Sequence, residues 1–144
     1  SAVEKLVSLL ETDDNAYVRR ATAWSLANYD NQIVLEPLIN ALKNDVAAVR
    51  LWSSSSLAEI GNVSLKNAQL AAEQLLISLK IDNEPGVRSN CIWSLCRLYE
   101  KLSNTLQESF VDECTKIALF DKEPSVMEEA KTALDSMGMQ GFYN

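Results

Sequence analysis

The chain has 144 residues, 20 of them acidic and 13 basic, with no histidine and a net charge of -7. That length suits one domain with a proper core. The charge opposes nucleic-acid phosphates and anionic membrane surfaces, and the lack of histidine removes Ser-His-Asp and Cys-His catalysis and every histidine-based metal site. With 4 glycines and 3 prolines, turn formers are too scarce for an all-β fold, so helices are expected.

A first helix is predicted near Val3 to Leu10. The next segment carries a pattern that recurs four times, anchored on Val18, Val49, Val87 and Val126. Leucine follows eight residues later in each copy, at Leu26, Leu57, Leu95 and Leu134. The fourth residue after each valine is small or thiol-bearing (Thr22, Ser53, Cys91, Ala130), and the seventh is small (Ser25, Ser56, Ser94, Ala133). The eleventh is large: Tyr29, Ile60, Leu98 and Met137. These positions share one face of a helix and no face of a strand. Small residues at its middle let a second helix approach closely.

Arginine follows the valine in three copies, at Arg19, Arg50 and Arg88, and Met127 stands there in the last. Five residues before each valine stands Asp13, Asn44, Asp82 or Asp121. Such a residue accepts backbone N–H bonds in a turn, and paired with the arginine of a neighbouring copy it would form a ladder along the chain. Pro85 and Pro124 fix two of these turns.

Between the patterned helices (A) lie second helices (B), predicted over Val34 to Lys43, Lys66 to Ile81 and Leu106 to Phe120. The copies measure 31, 38 and 39 residues from valine to valine, and the extra residues of the longer ones are expected as longer loops, near Asn62–Lys66 and Glu100–Leu106, plus one added turn of helix. The organisation is a single domain over 1–144 with repeats starting near 18, 49, 87 and 126. A half-repeat stands at each end, as in a piece of a longer solenoid, and a tail of Gly138-Met139-Gln140-Gly141-Phe142-Tyr143-Asn144 follows. No apolar run is long enough to span a membrane and no secretion signal is visible, so a cytoplasmic location is expected.

Val-Arg-Arg-Ala-Thr-Ala-Trp-Ser-Leu-Ala at 18–27 and Val-Arg-Ser-Asn-Cys-Ile-Trp-Ser-Leu-Cys at 87–96 resemble HEAT repeats, in particular the short HEAT-like repeats of the phycobilisome lyase type. The resemblance implies an all-α, right-handed α-α superhelix of antiparallel helix pairs. It implies a protein-interaction scaffold or adaptor, or a bilin lyase-like subunit that handles the chromophores of phycobiliproteins. No catalytic, metal or cofactor residue is assigned, a bilin being the one ligand the resemblance allows.

The candidate partner-binding residues follow from this architecture. B helices line the concave side of such a solenoid, where partners dock. They carry Glu36, Asn40, Lys43, Glu73, Gln74, Glu108, Asp112 and Glu113, a set suited to a protein with a basic patch. Trp24 and Trp93 share one slot, six residues after their valines, and Trp52 lies at another; the three either pack between A helices or line a ligand surface. Cys91, Cys96 and Cys114 lack metal-site spacing and read as small apolar residues.

Overall fold

The structure, a computed structural model, describes residues 1–139; the last part of the expected tail, 140–144, lies outside the described residues. Eight α-helices follow one another and no strand occurs among the described residues: α1 (Ala2–Thr12), α2 (Ala16–Leu26), α3 (Leu35–Asn44), α4 (Ala47–Gly61), α5 (Leu65–Ile81), α6 (Pro85–Leu98), α7 (Asn104–Phe120) and α8 (Pro124–Ser136). Short 3-10 turns precede α3 and follow α6.

Local chemistry sets the helix starts. Ser1, Ser64 and Ser103 cap α1, α5 and α7 by accepting a backbone N–H three residues on, and Asn15 caps α2 through the Tyr17 N–H. Pro85 and Pro124 occupy the first position of α6 and α8, where no N–H is needed. Each odd-numbered helix stops at an aspartate in extended conformation: Asp13, Asp45, Asp82 and Asp121.

The helices stack in two layers. The even-numbered A helices pack on one another in sequence, α2 on α4, α4 on α6 and α6 on α8; the odd-numbered B helices α1, α3, α5 and α7 do the same. The expected A-helix face is the seam of this stack. Leu26, Leu57, Leu95 and Leu134 are fully buried, with Thr22, Ser53, Cys91 and Ala130 beside them. Val49, Val87 and Val126 are buried, whereas Val18 and Tyr29 of the first copy are only half-buried.

Two details depart from the sequence reading. The 38- and 39-residue copies gain helix rather than loop: α3 has 10 residues where α5 and α7 have 17, and α2 has 11 where α4 has 15. Leucines and alanines fill the added turns of α5, and burying that apolar face outweighs the entropy a loop would keep. The second difference is in the turn before α4. Two residues, Asp45 and Val46, join α3 to α4, where the other B-to-A turns have three. The acidic turn position therefore falls on Asp45, and Asn44 is the last residue of α3.

Candidate functional site

The arginines and aspartates do form a ladder. Arg19 grips Asp45 with Nε to Oδ2 at 3.0 Å and Nη2 to Oδ1 at 2.9 Å. Arg50 grips Asp82 in the same way, at 2.8 and 3.1 Å, and Arg88 grips Asp121 through both terminal nitrogens. Each guanidinium reaches from one repeat to the next. Arg19 and Arg50 also donate to the carbonyls of Asp13 and Asp45 in their own turns. The aspartates accept backbone N–H groups as well, from Val46, Glu84 and Glu123. Burial works to raise the Asp121 pKa, but the hydrogen bonds from Arg88 and the Glu123 N–H outweigh it and hold the carboxyl below its ordinary value. The Asp45 carboxylate raises the pKa of Arg19 and the Asp82 carboxylate that of Arg50.

Serine hydroxyls add direct links between A helices. Ser56 donates to the Ala23 carbonyl of α2 at 2.7 Å and Ser94 to the Ser54 carbonyl of α4 at 2.6 Å. Asn90 donates to the Leu51 carbonyl and to Ser55. The A layer thus spends its recurring residues on repeat-to-repeat contact.

The B layer is different. Counting back from the aspartate that ends each B helix, the ninth residue is Glu4, Glu36, Glu73 and Asp112 in turn. All four are exposed. Glu4 lies 3.6 Å from the terminal amine of Ser1, and no ion pair holds the other three within the described residues. Neighbouring helices lie roughly 8–10 Å apart, so the carboxylates form one row along the stack. Glu4 was missed by the sequence reading. Aligning the B helices on their terminal aspartates, rather than on the valine that follows, brings it out.

Of the other candidates, Asn40, Lys43 and Glu108 are exposed on the same layer. Glu113 is half-buried and Gln74 is buried, its amide donating to the Ser78 hydroxyl. Both sit eight residues before the aspartate, as does the buried Pro37, so on α3, α5 and α7 this slot turns toward the interior, while in α1 it is the exposed Lys5. The tryptophans belong to the other layer, on α2, α4 and α6, and are not brought together with the carboxylate row. Trp24 and Trp93 are 57% and 44% exposed, Arg97 covering the Trp93 ring, while Trp52 is half-buried against the core.

Cys91 and Cys114 are buried, and desolvation raises the pKa of each; burial pushes the Cys96 thiol up to about 11. Such thiols are weak nucleophiles at neutral pH. Among the described residues no group of three or more His, Cys, Asp or Glu is placed to hold a metal ion, and no helix is long and apolar enough to cross a membrane.

No curated protein matches the chain. A protein family described as HEAT repeats matches residues 3–96, which takes in α1 to α5 and most of α6. With helix pairs stacked in two layers and a periodic arginine–aspartate ladder, the chain belongs to the HEAT-repeat family.

Proposed function

We propose that this protein is an interaction scaffold whose B-layer face, the concave side of a HEAT solenoid, captures a protein partner through a basic surface. The observation that carries this reading is the row Glu4, Glu36, Glu73 and Asp112, one exposed carboxylate per B helix in an equivalent position. Packing does not require these groups, since they are exposed, and no ion pair within the described residues uses Glu36, Glu73 or Asp112. Like charges about one Debye length apart repel only weakly, while a row of them attracts and orients a cationic partner. HEAT repeats bury their apolar faces against one another and leave an extended surface for binding.

The test is affinity capture from the native host extract with the wild-type chain and with E36K/E73K/D112K. Partners retained by the wild type are expected to be lost by the variant, with helicity by circular dichroism unchanged. Equal recovery by both would remove this face from consideration.

A second reading, chromophore handling, is favoured by the exposed indoles of Trp24 and Trp93 in equivalent slots of α2 and α6. Phycocyanobilin should then quench tryptophan fluorescence and shift its own absorption band; no change in excess bilin would end that reading.

A further inference from the structure

The internal joints of the A layer show what one helix requires of the next. With slots counted from the valine that opens each pattern, Ser56 and Ser94 stand in slot seven and donate to the Ala23 and Ser54 carbonyls, both in slot five of the helix before. Asn90, in slot three, donates to the Leu51 carbonyl of that helix. Slots three and seven therefore look back along the stack, and slot five looks forward. Slot nine looks forward too, since the Cys96 thiol of α6 lies against the Ser136 hydroxyl of α8. A rung closes each joint, its arginine on the earlier A helix and its aspartate in the turn before the later one.

The two ends of the stack differ in these slots. At the α1–α2 end the backward face is open: Val18, Ser25 and Tyr29 are half-buried, where Val49, Ser56 and Ile60 of α4 are buried. Ala21 in slot three is exposed, where Trp52 and Asn90 are half-buried. Asp13 holds the rung position. Its carboxylate accepts the Asn15 N–H at 2.8 Å, as Asp82 and Asp121 accept the N–H two residues on. No ion pair within the described residues uses Asp13. At the α8 end the forward face is charged. Lys131 stands in slot five, where Ala23, Ser54 and Ile92 are buried, and Asp135 stands in slot nine, the place of Ala27, Ala58 and Cys96. Met127 takes the place of the rung arginine.

We propose that the α1–α2 end is a second interaction surface, which seats the terminal A-type helix of another HEAT-type chain. That helix has arginine directly after its core valine and small or apolar residues in slots five and nine. Its arginine pairs with Asp13 as Arg19, Arg50 and Arg88 pair with their aspartates, and Ser25 donates to its slot-five carbonyl. A second copy of this chain is the wrong occupant. Its α8 brings Met127 to Asp13 and strips water from Lys131 and Asp135, with no partner for either charge on the open face. Terminal repeats of a solenoid close with a polar outer face, and α8 does so while α2 does not. The surface is separate from the carboxylate row on the B helices, which every variant below leaves intact.

The test rebuilds the missing occupant on the same chain. A donor variant carries Met127→Arg, Lys131→Ala and Asp135→Ala, which give α8 an open forward face, together with Asp13→Lys, which blocks its own seat. The wild type supplies the seat. Sedimentation velocity is run on each alone and on their equimolar mixture, with helicity by circular dichroism as the check on folding. Each alone is expected to stay monomeric, and the mixture to form a heterodimer of doubled mass. Asp13→Lys in the seat-bearing chain should weaken that dimer by at least about tenfold. Should the donor lose helicity, Lys131→Ser replaces Lys131→Ala and Asp135 is left in place at the exposed rim, serine being the slot-five residue of α4. A mixture that stays monomeric, a dimer indifferent to Asp13→Lys, or wild type that self-associates through Asp13 would each overturn the inference.

Discussion

The two layers of this solenoid use polar residues for opposite ends. In the A layer polar groups face inward: Ser56 and Ser94 bond the neighbouring helix backbone, and the arginines reach across to the next repeat. In the B layer the recurring polar group is exposed, and Glu36, Glu73 and Asp112 make no ion pair within the described residues. Both recur once per repeat. Periodicity therefore reports the repeat and not the role; whether the repeated group has an internal partner is what separates architecture from recognition.

The sharpest break in that comparison is the central rung. Arg50 and Asp82 are mostly shielded from solvent, with 18% and 6% of their side chains exposed. Arg50→Met leaves Asp82 partly buried without its cation, and a loss of about 3 kcal/mol is expected in urea unfolding. An unchanged midpoint would show that the ladder is decoration.

Gly61 tests how close the layers come. A Cβ there would stand 3.0 Å from Leu98 Cδ1 and 3.1 Å from Ala71 Cβ. Gly61→Ala should cost about 1–2 kcal/mol through overpacking despite its better helix propensity, read as a lowered Tm.

Ser53 sharpens the comparison from the other side. It is fully buried, and its hydroxyl alone among the buried side-chain polar atoms of the described residues lacks a hydrogen-bond partner. Its equivalents include Cys91 and Ala130, so an apolar residue fits the slot. Ser53→Ala should raise stability by about 1 kcal/mol.

A smaller effect belongs to pH. Asp121 has its folded pKa lowered from an ordinary 3.8. Its contribution is therefore complete above that value and is lost as pH falls through the lowered one. Between about pH 5 and pH 3 the wild type should lose more stability than Asp121→Asn, by a difference visible in thermal melts. Smallest of all, E36K/E73K/D112K should change stability by less than about 0.5 kcal/mol, as exposed positions do. A large loss there would place the row among the structural residues.

Much of this was legible in the sequence because packing leaves a periodic trace. The Val18-to-Leu134 pattern gave the A helices and their buried face, and Arg19, Arg50 and Arg88 gave the ladder. Asn44 was mistaken for a rung because one turn is a residue shorter, which no spacing rule announces. The B helices read from the sequence, Lys66–Ile81 and Leu106–Phe120, start one and two residues inside the observed α5 and α7; the longer loops expected near Asn62–Lys66 and Glu100–Leu106 shrink to short turns because Ser64 and Ser103 cap the helices there. Gln74 looked like a surface group; its slot faces inward, which only the packing of neighbouring B helices decides. Three of the four carboxylates of the row, Glu36, Glu73 and Asp112, are legible in the sequence, while Glu4, on the helix outside the valine pattern, is not.

The ladder also has a direction. Each arginine depends on an aspartate in the repeat that follows, so a repeat that frays takes the partner from the one before it. Unfolding of α8 and its turn would free Asp121 and leave Arg88 searching, then loosen Asp82, and so back along the stack. Such nearest-neighbour coupling makes the array melt more nearly as one unit than its separate helix pairs would. The same coupling keeps the distances between residues on distant repeats constant.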